Sequence, residues 1–588
     1  MGVPLYRVRI DRQGAVRFTL DLHELEGAPS LDLEVSTWVA GAYAFLRYGR
    51  DLFDLRAVGA SGEELVVERQ GLSGFQVRSP AGAPIEGVFL SGTVQARDAA
   101  WGELAGVLRD DGGILLPTAF PVLRGYQGPV DVLVEAGEGR QVLVAGVSQG
   151  SPAEARALRF ETFDAWLDTP LVIGSPTVLV REVRGCRFEH VFCQKSIGFE
   201  TEVEGFVDEL VRIAESCHDL FGAFPFERYT WVISFDPRDH WGLEHKHGTM
   251  IAIGEDALID EEQRFAAHRV AAHELFHAWN VWRLRPSGFL GASRTEGGFT
   301  DALWLCEGVT RYYEFLLLVR AGLMDPARVV ENVVAFAKHH IARPAYAHTT
   351  LVDSSLATFL NHTRWAGAWN ATLDYYDGGM LVAFELDALL RTRHATSLDE
   401  VFVAFYRAFE EKPGFDTAAF ERFVNERAPG AGEWLARKVR QAGTLDVAGA
   451  LQSLGLEVER KPRARVGVVF EKGSLALGQV LEGGAAYEAG LAPGDEIVSI
   501  DGYRATPKAF GWAVQRAQML RVVIKRGHRF RDLELRSRYV DEVTGVRVGP
   551  SFGAAGRSLF GEKSAAWVEG QRLPLTHYDN FHGTEPIH

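Results

Sequence analysis

Cysteine is scarce in this chain. Only Cys186, Cys193, Cys217 and Cys306 occur in 588 residues, with no CxxC pair and no regular spacing. That argues against a disulfide scaffold and fits a reducing compartment. No apolar run reaches the roughly 18 residues needed to span a bilayer. The amino terminus, MGVPLYRVRI, lacks a basic stretch followed by an apolar core, so it does not read as a signal peptide. Positive charge is not in excess either: 62 Lys and Arg stand against 78 Asp and Glu, a formal net charge of -16. This balance disfavours nucleic acid or an anionic membrane as the main partner. Internal repeats are absent as well. A soluble, cytoplasmic protein is the expectation.

What is present is ordinary globular composition, 47% hydrophobic and 24% charged, in a chain too long for one core. Residues 1–180 read as short strands between Gly, Pro and Asp punctuation, for example LYRVRI, VRFTLDL and DVLVEA. From about Thr201 helical spacing takes over, interrupted by the strand YTWVISFD and a loop rich in His and Gly. Helical stripes then dominate from Glu261 to about Gly455. Breakers separate them, among them Pro286, Gly288, Pro344 and the pair Gly378–Gly379. Near Arg465 the pattern becomes β-rich, and beyond about Val540 it turns Gly-rich and irregular. The expected architecture is multidomain α+β. An N-terminal all-β sandwich or saddle covers 1–180 and a mostly α-helical domain covers 181–395. A helical extension (396–460), a β-rich domain (461–540) and a C-terminal tail (541–588) follow.

The chemistry concentrates at His273-Glu274-Leu275-Phe276-His277. Histidines four apart lie on one helix face, one turn apart, so both imidazoles can reach one ion. Glu274 is then placed to take a proton from a metal-activated water. A catalytic zinc needs a third protein ligand and one open position. On the next helical stripe, Glu307 interrupts an apolar start (WLCEGVTRYY), where a buried carboxylate is costly unless a cation compensates it. Two alternatives stay open: pairing of Glu307 with Arg311 four residues on, and ligation by Cys306, which a helix turns about 100° away. One zinc ion per chain, held by His273, His277 and Glu307, is the expectation, though the ligand set does not by itself exclude another divalent metal.

HELFHAWNVWRLRP, followed about thirty residues later by LWLCEGVTRYYE, resembles the M61 glycyl aminopeptidase family, a gluzincin branch related to the M1 aminopeptidases. Trp279, Asn280, Arg283, Arg285 and Pro286 stand where that family carries a Trp-Asn pair and a basic stretch ending in Pro. Trp38–Tyr43 and Asp168–Pro170 resemble two further family motifs. The resemblance implies a thermolysin-like catalytic domain and a PDZ-like domain near the carboxy end. It also implies that Trp241-Gly242-Leu243-Glu244-His245 is the counterpart of an exopeptidase strand. There Glu244 would receive the substrate's free α-ammonium group beside Gly242. Trp241 replaces a glycine of the family pattern; its ring either narrows the space beside the amine or points into the fold. Preference for glycine or another small first residue is implied on the same basis. For the oxyanion, the resemblance puts Tyr376 in the donor's place, with Tyr375 as alternative and Gly378 where the family has lysine.

Residues 480–502 (VLEGGAAYEAGLAPGDEIVSIDG) resemble the core of a bacterial-type PDZ domain. Such a domain holds extended peptide ends, and its carboxylate loop would involve Val466 to Phe470. Its groove would be open to a peptide carboxy end or filled by the chain's own tail. Two other functions remain in view: a zinc endopeptidase, and a PDZ-based binding or chaperone-like protein with a decayed catalytic centre.

Overall fold

Alternation decides the amino-terminal part. In β1 (Leu5–Ile10) Tyr6, Val8 and Ile10 are buried, and in β2 (Val16–Leu22) Val16, Phe18, Leu20 and Leu22 are buried, every second residue facing one core. The computed structural model describes all residues except 12, 40, 81, 97–105, 110–111, 138, 148–154, 237–240, 362–364, 411, 413 and 580–586. The described residues form two compact units, Met1–Phe299 and Thr300–His588.

The first unit opens with a sheet of ten strands among the described residues. Neighbouring strands run antiparallel, except that β1 lies parallel to Val130–Glu135. A second, four-stranded sheet contains Leu171–Gly174 and Gly112–Leu115. A third sheet carries the residues of chemical interest. Its order is β3 (Thr177–Val183), β4 (Cys186–Phe192), β5 (Arg228–Phe235), β7 (Gly248–Ile253) and, at the edge, β6 (Trp241–His245). β4, β5 and β7 run parallel, while β6 runs antiparallel to β7. Two helices, α1 (Phe199–Phe221) and α2 (Glu261–Phe276), pack with this sheet. Asp260 caps α2 by accepting from the Gln263 amide at 2.9 Å. Glu209 of α1 accepts from Arg264 and lies 2.8 Å from His268, tying the two helices together.

The second unit is helical up to Ser453. A π-turn (Trp304–Gly308) leads into α3 (Val309–Arg320), followed by α4 (Ala327–Ile341) and the 19-residue α5 (Tyr375–Arg393). Gly378 and Gly379, read from sequence as breakers, lie inside α5. Asp374 starts the helix by accepting from the amides of Tyr376 and Asp377. The glycines permit close packing: a Cβ on Gly379 would overlap the Trp304 carbonyl oxygen and lie 2.9 Å from the Gly308 Cα.

After Ser453 the unit is β-rich. Leu456–Arg465 pairs with the 11-residue strand Arg538–Val548, so residues 541–548 of the stretch read as irregular tail belong to a strand. Between them, α6 (Pro507–Val514) and strands that include β8 (Val468–Phe470), β9 (Leu477–Val480) and β10 (Glu496–Ile500) enclose their own core. Asp501 and Gly502 both adopt positive φ (50° and 85°), forming the tight turn between β10 and Tyr503–Arg504. Arg526 holds Asp495 through two hydrogen bonds of 2.6 Å. Multidomain α+β organisation follows: an N-terminal β-rich part, a helical centre and a β-rich carboxy-terminal region.

Candidate active site

The HExxH segment straddles the end of α2, with His273 in its last turn and His277 as its C-cap. The two imidazoles are buried, with ring centroids 4.7 Å apart and planes at 81°. His277 Nδ1 lies 2.8 Å from the Asn280 carbonyl oxygen. A carbonyl can only accept, so Nδ1 carries the proton and Nε2 keeps a lone pair for a metal. That donor chemistry fits a zinc ligand. The turn that makes this bond is strained: Val281, β-branched, sits at φ 133°. It is braced by Trp282 N donating to His277 O and Leu284 N donating to Trp279 O.

Edge strand β6 lies alongside α2. Gly242 and Glu244 share one of its faces, and a Cβ on Gly242 would overlap the Glu274 side chain, 2.5 Å from its Cδ. One ligand atom from each of Glu244, Glu274 and His277 lies within 4.8 Å of the others. All three are buried. Trp241 and Leu243 lie on the opposite face, where the half-buried Trp241 ring packs on the cluster of Ile114, Val172, Val191 and Met250. The ring therefore points into the fold. The segment read as a His- and Gly-rich loop is thus a strand from Trp241 to His245; residues 237–240, just before it, lie outside the described residues.

Three positioning contacts were not legible in the sequence. Asp168 lies 2.9 Å from His245 Nδ1 and accepts from the Lys246 amide at 3.2 Å, which fixes the carboxy end of β6. Arg283 donates to the carbonyls of Lys246, Ala278 and Pro225, stapling the β6–β7 turn to the end of α2. Gly41, at φ 89°, faces Glu244 so closely that a Cβ there would lie 2.6 Å from the carboxylate carbon. Its segment is held by Thr37 N donating to Arg294 O (2.9 Å) and Trp38 Nε1 donating to Ser293 O (2.7 Å). The motifs Trp38–Tyr43 and Asp168–Pro170 were visible as motifs, but their partners lie far away in the chain; Ala40 itself is outside the described residues. Arg285, beside the Trp282 ring at 5.1 Å, has its pKa lowered by burial, against the pull of Asp168, Asp164 and Glu244.

In the second unit, Glu307 is 1% exposed within the π-turn. An inserted π-turn frequently marks a functional position, because it redirects a side chain within a helix. Arg311, the alternative partner considered for Glu307, donates to Asp377 in a fully buried ion pair. Cys306 is buried, and its carbonyl accepts from Thr310 Oγ1. Tyr375 and Tyr376 stack at 5.0 Å, both half-buried. The Tyr375 hydroxyl lies 2.8 Å from Thr358 Oγ1. Burial raises its pKa well above the ordinary tyrosine value, with Glu307 among the charges adding to the rise. The Arg311 guanidinium lies 5.1 Å from the Tyr376 ring.

The model of the M61 glycyl aminopeptidase family matches residues 266–382, and the model of the M61 N-terminal domain matches residues 6–175. An aminopeptidase N family protein from Idiomarina loihiensis shares the fold, with a TM-score of 0.84 at 22% identity over 95% of this chain and 100% of its own. An M1 zinc metallopeptidase from Deinococcus radiodurans is a looser likeness, with a TM-score of 0.42 at 16% identity over 75% of this chain and 93% of its own. No curated protein matches the chain.

Proposed function

Because the chain belongs to the M61 metallopeptidase family, we propose that it is a zinc aminopeptidase that removes the first residue of peptides bearing a free α-amino group. The observation that carries this reading is the cluster of Glu244, Glu274 and His277, with β6, the last strand in its sheet among the described residues, beside it. His273, His277 and Glu307 would hold one zinc ion. When bound, zinc supplies Lewis acidity at the scissile carbonyl and draws the pKa of a coordinated water towards neutrality. Glu274 accepts the proton of the attacking water and delivers it to the leaving amine. Glu244 takes the substrate ammonium through charge-assisted hydrogen bonds, while β6 pairs with the substrate backbone and sets its register. Tyr376 donates to the oxyanion, with Tyr375 beside it; one such donor is worth about 3 kcal/mol of transition-state stabilisation.

Selectivity for glycine or another small first residue is part of the same proposal. Its support is the close approach of Gly41 to Glu244, which leaves little room beside the amine site. Residues 461–540 are proposed to be a PDZ-like peptide-binding module, with Val466–Phe470 as its carboxylate loop. The segment order and the tight turn at Asp501–Gly502 favour it.

Hydrolysis of matched free-amine and amino-blocked peptides, with and without a chelator, tests the peptidase reading. The expected outcome is chelator-sensitive release of the first residue from free-amine peptides alone. Glu274→Gln is expected to lower kcat/KM by about 10⁴-fold or more while metal analysis still finds one zinc per chain. Cleavage of blocked peptides would instead indicate an endopeptidase. No cleavage by metal-loaded protein would shift the function to peptide binding.

A further inference from the structure

Resting on the reading of Tyr376 as oxyanion donor, we propose that Arg311 is a positioning residue for that tyrosine, its guanidinium holding the Tyr376 ring while Asp377 holds the guanidinium. Arg311 stands on α3, four residues beyond Glu307, and Asp377 follows Tyr376 in the first turn of α5. Arg311 Nη1 donates to Asp377 Oδ1, and the two side chains are 2% and 0% exposed. The guanidinium carbon lies 5.1 Å from the centre of the Tyr376 ring and 5.6 Å from that of Phe336 on α4. From α3, one planar cation thus touches aromatic rings of both α4 and α5.

Stability does not account for such a pair. Two charges taken out of water can commonly be replaced by apolar side chains at little or no loss, so what the pair supplies is geometry. The backbone of Tyr376 is already set, because Asp374 accepts its amide at 2.9 Å. Its ring still has two torsions to fix. Tyr375 stacks on that ring at 5.0 Å and is itself held 2.8 Å from Thr358 Oγ1. Arg311 adds a charged contact that the Asp377 carboxylate keeps from swinging away. A fixed positive charge beside a phenol also strengthens its O–H as a donor to a developing anion. Because Arg311 shares a helical segment with Glu307, the same contact ties the orientation of Tyr376 to the element that carries the proposed metal ligand.

The test is a mutant cycle read by steady-state kinetics on a free-amine peptide, joined to a fluorine resonance. Arg311→Met with Asp377→Leu removes both charges and leaves neither partner orphaned. This pair variant is expected to keep its zinc and melting temperature, with kcat lowered about tenfold or more and KM within about twofold. Tyr376→Phe alone is expected to lower kcat about 10²-fold, and adding the pair replacement to it to cost less than about twofold more. A full further loss on top of Tyr376→Phe, or no loss in the pair variant by itself, would overturn the proposal. Full activity of Tyr376→Phe would instead overturn the oxyanion reading. 3-Fluorotyrosine placed at position 376 then tests the contact without reference to catalysis. Its fluorine resonance is expected to shift or broaden in the pair variant, and an unmoved resonance would overturn the positioning role. Arg311→Lys, which keeps the charge but not the planar fork, provides both readouts should the pair variant not fold.

Discussion

A methyl group at residue 242 has nowhere to go, because the Glu274 side chain already fills the space a Cβ would take. Gly242→Ala must therefore push either β6 or the Glu274 carboxylate aside. Displacement of about 1 Å at a reacting group costs on the order of 10²-fold in rate. Steady-state kinetics should show that loss in kcat, with zinc content and melting temperature close to those of the unaltered chain. The clustering of His273, Glu274 and His277 at one helix end was legible because helix geometry alone relates them: four residues make one turn. The contacts of Asp168, Arg283 and Gly41 were not. Each depends on a contact made across tens or hundreds of residues, such as Asp168 with His245 or Gly41 with Glu244, and no local spacing encodes such a meeting.

Among elements, α5 shows how a propensity rule yields to packing. Two adjacent glycines cost helix stability, about 1 kcal/mol each relative to alanine, and on that ground they read as a break. Here Asp374 caps the helix ahead of them, and the absence of side chains lets α5 touch the π-turn that carries Glu307. Gly379→Ala should separate these two elements. The expected result is a destabilisation of about 1–3 kcal/mol, read by denaturant unfolding, although alanine is the better helix former. For β6, periodicity alone gave a loop rich in His and Gly, and only the family resemblance pointed to a strand; pairing with β7 and the packing of Leu243 and Trp241 on one face make it one. The β-rich amino-terminal part was plain from alternation, because each strand there has one buried and one open face. The carboxy half of the strand Arg538–Val548 was hidden because its burial does not alternate: Glu542 to Thr544 are all part-buried, and the neighbours Gly545 and Val546 are both buried.

For the whole molecule, buried histidines set the acid limit. Burial pushes the pKa of His190 down to about 4, and those of His339 and His340 down to about 3, from 6.5. Each group is neutral in the folded chain and would gain a proton on unfolding below pH 6.5. Their contribution is therefore complete above pH 6.5 and is lost as pH falls towards 4, at about 1.4 kcal/mol per pH unit per group. Thermal melts between pH 7 and pH 4 should show a steep fall in Tm, and His340→Gln should make it shallower. The turn at Val281 has a different kind of consequence at this scale. A β-branched residue held at φ 133° costs on the order of 1–3 kcal/mol, which the rest of the first unit must offset. The fold thus gives up stability to keep the His277 imidazole in one tautomer. Val281→Gly relieves that cost, so a higher melting temperature and a looser imidazole are two faces of one change.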